Sequence, residues 1–231
     1  MIKSKIKIRT KYVPKGITIL YEDLDIIVID KDAGLLSVKA NYEEKQTAHN
    51  LLTEYIRKGN SKSKLELFAI HRLDRDTSGI LIFAKSFKIR EQFADQWKNV
   101  EKKYIAIVNG HLREKTGIIE SYLAEDDDYI VHSVKNPNDG KLARTQYKVI
   151  QESKDCSLLE INLLTGRKNQ IRVHFSEKRH PLVGDVKYRR NPKGRLALHA
   201  WSIKFKHPFN NQEMLFETKI PVFFSNYLAT H

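Results

Sequence analysis

The chain has 231 residues, with 41 Lys plus Arg against 28 Asp plus Glu, a formal net charge of +13 and a single cysteine. Hydrophobic residues make up 41% of it, enough to bury a core and to exclude an intrinsically disordered chain. The lone Cys156 excludes an intrachain disulfide framework and any multi-cysteine zinc or iron–sulfur site, and it fits a reducing, cytosolic setting. No apolar run reaches the roughly 18 residues that a membrane helix needs. The N-terminus MIKSKIKIRTK alternates charged and aliphatic residues and lacks the apolar block of a signal peptide. A soluble, cytoplasmic protein is expected.

In chain order, ITILYED and DIIVID flank a short turn at 22–25 and read as paired strands. A helix capped by Thr47 follows, with Leu51, Leu52, Tyr55 and Ile56 on one face and Gly59 ending it. The polar run His71-Arg72-Leu73-Asp74-Arg75-Asp76-Thr77-Ser78-Gly79 directly precedes the apolar strand GILIFA (79–84). Ser86 can cap a second helix, in which Ile89, Phe93, Trp97 and Val100 recur at helical spacing. YIAIVNG (104–110), TQYKVI (145–150) and SLLEINLL (157–164) read as sheet strands. Glu125–Asp128 and Asn136–Gly140 read as surface loops. From Asn169 onward Ile171, Val173 and Phe175 alternate with Gln170, Arg172 and His174, which predicts another strand. Strands outnumber helices and do not alternate with them, so the expected class is α+β with a mixed, mainly antiparallel sheet.

The positive charge is not spread evenly. Residues 1–20 hold six basic residues (Lys3, Lys5, Lys7, Arg9, Lys11, Lys15) and no acid. Residues 165–207 hold twelve basic residues against Glu177 and Asp185. Two basic segments on a balanced chain point to a polyanion, most often nucleic acid, over a merely solubilising surface.

Two polar constellations carry the candidate chemistry. The loop 71–79 lies at the edge of a buried strand, where rigid strands hold catalytic groups; a salt-bridged turn is the plainer reading. In 164–175, an Arg172 on the outer face of its strand could hold a carboxylate in a bidentate pair and keep it ionised. The alternative is a solvated surface arginine. No metal-ligand spacing, phosphate-cradling glycine loop or nucleophile elbow occurs. The chemistry on offer is a carboxylate aided by arginine, with no cofactor and no metal. His174, His199 and His207 read as core or surface residues, and Trp97 and Trp201 as core packing.

HRLDRDTSG followed by an aliphatic strand resembles the signature loop of the RluA family of RNA pseudouridine synthases. ILYEDLDIIVIDKDAGLLS (19–37) and KKYIAIVNGH (102–111) match further family motifs. So do LARTQYKV (142–149), TGRKNQIRVHF (165–175), HPLVGD (180–185) and LHAWSIKFKHP (198–208), all in the expected order. The resemblance implies the pseudouridine synthase fold with flanking helices and a central catalytic cleft. It implies Asp74 as the essential aspartate, Tyr104 as the residue packing against the target base and Arg172 as the arginine pairing with the aspartate. Arg72 stands where the family uses an arginine to help displace the target nucleotide.

Asn169 stands in place of a histidine common in the family, Asp32-Ala33 in place of Pro-Ala or Pro-Ser, and residues 1–16 are too few for an S4-like domain. A basic arm (1–16) and one catalytic domain (17–231) are therefore expected, acting as a monomer on ribosomal or transfer RNA. Arg167, Lys168, Lys187, Arg189 and Arg190, with Lys193 and Arg195, are expected on RNA phosphates. Isomerising uridine while excluding water calls for one carboxylate, whereas hydrolysing a glycosidic bond typically takes two. Extruding the nucleotide costs a few kcal/mol, and stacking on an aromatic such as Tyr104 returns roughly 1–3 kcal/mol. The competing reading is an RNA-binding or RNA-chaperone protein on the same fold.

Overall fold

Six of the seven predicted strands form, in a computed structural model that describes residues 13–40, 45–60, 62–189, 191–192 and 194–231. Most of the basic arm, together with Arg190 and Lys193, lies outside the described residues. The chain falls into two compact units. The first comprises the described residues up to Val100 together with Ser202–Thr218, and the second Glu101–Trp201 with Lys219–His231.

In the first unit, β1 (Ile17–Glu22) and β2 (Ile26–Lys31) pair antiparallel, with Ile19 opposite Ile29. Asp23 makes their turn. Its Oδ1 accepts from the main-chain N–H of Asp25 at 2.8 Å and of Ile26 at 2.7 Å, the local bond that favours aspartate in turns. Its Oδ2 accepts from the Tyr21 hydroxyl at 3.0 Å and meets His207 Nε2 at 2.9 Å. Burial pushes this carboxyl up, but the hydrogen bonds from His207, the Ile26 and Asp25 amides and Tyr21 outweigh it and hold it at about 2.

Helix α1 (Ala48–Arg57) starts at Thr47, whose hydroxyl accepts from Asn50 N–H at 3.1 Å, and stops where Lys58 turns left-handed. The short β3 (Phe68–Ala69) and β4 (Ser78–Ala84) follow, both antiparallel. Every residue of β4 is buried, so it reads as an unbroken apolar run. It pairs with β2 from Ile26↔Ala84 to Lys31↔Gly79. Helix α2 (Phe87–Gln96), capped by Ser86, brings Ile89 and Phe93 onto Ile26, Val28, Ile80 and Ile82. Trp97 packs at the rim of this core and opens a single 3₁₀ turn. Burial of a side chain like Phe93 is worth roughly 1.5–3 kcal/mol.

The second unit is built on an antiparallel sheet in the order β5-β9-β8-β6-β7, from β5 (Glu101–Asn109), β6 (Thr116–Glu125), β7 (Val131–Val134), β8 (Lys141–Glu152) and β9 (Cys156–Leu163). Strand β10 (Leu198–Lys206) gives its first residues to this unit and its last to the first unit, where β11 (Glu213–Glu217) pairs with Ser202–Lys206. Helix α4 (Val222–Thr230) seats Phe224 among Ile105, Ile107, Val183 and Ala197, with Trp201 at the edge.

Residues 170–177 overturn the strand expected there: they form helix α3 (Gln170–Glu177). Asn169 takes a left-handed φ of 52° at its start, and Gln170 to Phe175 are all buried. A helix buried all round carries no 3.6-residue polar face, so the alternation in its sequence was uninformative. Its polar residues go inside because they are paired there. Gln170 Oε1 accepts from Thr165 Oγ1 (2.7 Å) and Arg167 N–H (3.0 Å), and its Nε2 donates to Thr145 Oγ1 (2.9 Å). The His174 ring lies between Thr145 and Ser121 hydroxyls, at 2.9 and 3.2 Å.

Candidate active site

The first unit holds the loop 71–77, and the main chain on each side of Asp74 is clamped. Before it, Ser37 Oγ donates to Leu73 O (2.8 Å) and accepts from Leu73 N–H (3.0 Å). After it, Arg75 O accepts from Gly34 N–H (2.9 Å) and from Lys31 Nζ (3.1 Å). A turn bond from Thr77 N–H to Asp74 O closes the loop. Its start is fixed by His71, whose Nε2 accepts from Ile82 N–H at 3.3 Å and whose ring stacks on Trp97 at 5.0 Å. Asp74 is half-buried, while Arg72, Arg75 and Asp76 are exposed. The main chain that carries Asp74 is thereby held on both sides.

Lys31 is the charge beneath this loop. It is 0% exposed, and its ammonium also donates to Asp32 O (2.9 Å) and Leu35 O (2.7 Å). Burial lowers its pKa to about 8, against the opposing pull of Asp76, Asp74, Asp32 and Asp30. Asp30 moves the other way: burial, then Asp32, raise it to about 6, while Lys31 opposes. Neither Lys31 nor Ser37 was singled out from the sequence. The available signal was the alternation Ile27, Ile29, Lys31, which carries a lysine onto an apolar face.

The second unit holds Tyr104, Arg172 and most of the basic candidates. Tyr104 is buried in β5 opposite Ile161. Arg172 rises from α3, not from a strand, and its bidentate partner in this unit is Asp185. Nε meets Oδ2 and Nη2 meets Oδ1, both at 2.8 Å. Asp185 is fully buried, and its Oδ1 also accepts from the main-chain N–H of Lys187 (2.9 Å) and Tyr188 (3.1 Å). Arg172 Nη1 reaches Asn169 Oδ1 at 3.3 Å, and the guanidinium lies 5.3 Å from the Tyr188 ring centroid. Asn169 Nδ2 in turn donates to the Tyr188 hydroxyl at 3.1 Å. Asp185 stands in the HPLVGD segment but had been counted only as a charge. Gly184 beside it has φ +70°, and a Cβ there would fall 1.9 Å from Arg195 O, so only glycine fits.

The basic candidates divide. Arg167 and Lys168 are exposed, Arg167 Nε donates to Leu142 O (3.0 Å), and Lys168 pairs with Glu125. Lys187 is half-buried and donates to Tyr129 O at 2.6 Å. Arg189 is half-buried with its Nη1 inside, so part of its guanidinium is turned inward. Arg195 lies 5.2 Å from the Phe223 ring centroid.

A sequence profile described as RNA pseudouridylate synthase matches residues 25–177. The chain is 34% identical over 216 residues to ribosomal large subunit pseudouridine synthase D of Nitrosomonas europaea, an alignment covering 88% of this chain and 62% of that protein. It is 33% identical over 223 residues to ribosomal large subunit pseudouridine synthase D of Borreliella burgdorferi, covering 91% of this chain and 68% of that one. Among solved structures, human RNA pseudouridylate synthase domain containing 4 superposes with a TM-score of 0.76 at 25% identity, covering 95% of this chain and 94% of its own. These likenesses show that the chain belongs to the RluA-type RNA pseudouridine synthase family.

Proposed function

We propose that this chain isomerises uridines of ribosomal or transfer RNA to pseudouridine, with Asp74 as the catalytic carboxylate. The observation that supports the reading is the pair of main-chain clamps on Leu73 and Arg75, which hold the backbone of the residue between them. The reaction breaks the N1–C1′ bond, turns the uracil and forms C5–C1′; C5 gives up its proton and N1 gains one. It is redox-neutral, so the residues named suffice without a redox cofactor. Arg172, oriented by Asp185 and Asn169, takes the role of the family's arginine, and Tyr104 packs on the extruded base. Arg72 is exposed on the same loop and helps displace the nucleotide.

RNA phosphates lie along Arg167, Lys168, Lys187 and Arg189, and Arg190 and the basic arm 1–16 add positive charge in the sequence. Counterion release along such a track makes affinity fall with salt. The region 17–231 works as one catalytic module, as a monomer in the cytoplasm. Among the described residues no helix is long and apolar enough to cross a membrane. Both of these curated relatives are named for the ribosomal large subunit.

Tritium release from RNA labelled at uracil C5 tests the reading directly. The wild type is expected to release label, and Asp74→Asn to bind RNA and release none. Equal release by both would overturn the assignment of Asp74. Binding without release by the wild type would favour the RNA-binding or chaperone reading.

A further inference from the structure

The β6–β7 hairpin turns through Asp126, Asp127, Asp128 and Tyr129. The turn is complete without its aromatic ring. Tyr129 N–H donates to Asp126 O (3.0 Å), Asp126 N–H to Ile130 O (3.0 Å), and Ile130 N–H to Asp126 Oδ1 (2.8 Å). This geometry places residue 129 in the left-handed region, at φ 59°, where hairpins of this kind favour glycine. A bulky residue there is strained, and its ring contributes little burial because Tyr129 is 69% exposed. Strained, exposed side chains of this sort gather at ligand-binding positions.

The surroundings indicate which ligand. Lys168 Nζ stands 5.5 Å from the Tyr129 ring centroid, and Lys187 Nζ holds the Tyr129 carbonyl. The foot of the hairpin is pinned where Val131 N–H donates to the Tyr188 hydroxyl at 3.1 Å. Tyr188 also lies under Arg172, so the turn is tethered to the Arg172 cluster. Asp127 and Asp128 are exposed and repel phosphates, so a base is the part of a nucleotide suited to meet the ring, with phosphates on the lysine side.

We propose that Tyr129 is a stacking platform for an unpaired base of the bound RNA, flanked by Lys168 and Lys187 for the neighbouring phosphates. The inference rests on the pseudouridine synthase reading. A π-face accepts any base, so the contact contributes affinity with little sequence preference.

The test compares Tyr129→Gly and Tyr129→Phe with wild type, using a fluorescein-labelled single-stranded oligouridylate across a salt series and tritium release from uracil-labelled bulk RNA. Glycine suits the left-handed turn, so that variant is expected to fold and to melt roughly 2 °C higher. It is expected to bind the oligouridylate roughly ten-fold more weakly, with an unchanged salt slope, because no phosphate contact is lost. Tyr129→Phe, which keeps the face, is expected to bind like wild type. Wild-type affinity in the glycine variant would overturn the proposal, as would equal weakening in both variants, which points to the hydroxyl. A lower melting temperature for Tyr129→Gly would make the ring a structural anchor and overturn it too. Wild-type tritium release without oligouridylate binding overturns the platform alone. A wild type that neither binds nor releases overturns the functional reading along with it.

Discussion

Lys31 Nζ donates to the main-chain oxygen of Arg75 at 3.1 Å, across 44 residues of sequence. One ammonium thereby ties the end of β2 to the loop that carries Asp74, and it does so from a fully buried position. Removing it leaves three carbonyls without this donor and four nearby carboxylates without this counter-charge. Lys31→Met is expected to lose about 3 kcal/mol of stability in urea denaturation. Tritium release is expected to slow at least ~10-fold as the loop loses its positioning, with RNA affinity retained. Unchanged turnover in a folded variant would remove Lys31 from the account of the site.

The Arg172–Asp185 pair makes a different prediction. Asp185→Ala strands a buried guanidinium and is expected to cost about 3–5 kcal/mol. Pairing it with Arg172→Met removes the stranded charge, so the double variant is expected to recover much of that loss while staying inactive. Denaturant midpoints for the four proteins of this cycle, read beside turnover, separate the structural use of the pair from its catalytic use.

Acid is expected to destabilise the protein through two buried histidines, with Asp30, whose carboxyl is raised to about 6, opposing them in the same window. His174 and His199 are buried, and burial depresses each from 6.5 to about 4, with a nearby lysine or arginine adding to it and Glu177 opposing it at His174. The unfolded chain then takes up protons first as pH falls. Their contribution to stability is complete above pH 6.5 and is lost on the way down to 4, about 3 kcal/mol for each. Thermal midpoints measured from pH 7 to 4 are expected to drop through this window. His174→Gln is expected to flatten the drop; an unaltered slope would mean that the imidazole does not titrate this way.

At Gly184 even one methyl group is too many. Gly184→Ala meets Arg195 O while forcing a side chain into φ +70°, and the expected loss is on the order of 3 kcal/mol. Because Asp185 is the next residue, turnover is expected to fall further than stability alone explains. Circular dichroism melting and tritium release on the same preparation measure both.

Much of this was legible in the sequence. The apolar runs of β2, β4, β5 and β9 mark the sheet, and Thr47 and Ser86 mark the two helix starts, because these features act locally. Helix α3 was misread because burial on all sides erases the periodicity that betrays a helix. Strands β6, β7 and β11 alternate too weakly to stand out. At the candidate site, Asp74 and Arg172 came from motif resemblance. Lys31, Ser37 and Asp185 escaped because each also bonds a residue 13 or more positions away, Arg75, Leu73 and Arg172 respectively, which no local pattern encodes.

The discontinuity of the first unit bears on how the chain is made. Ile203 and Phe205 close a core whose other members all precede residue 101, and His207 reaches back across 184 residues to Asp23. During synthesis at about 5–20 residues per second, the apolar face of β2, β4 and α2 therefore waits roughly 5–20 s for its last strand. In that interval strands β5 to β9 of the second unit, contiguous in sequence, can pair with one another while its own Phe224 is still to come. The nascent chain therefore exposes an incomplete apolar core until Ile203 and Phe205 emerge.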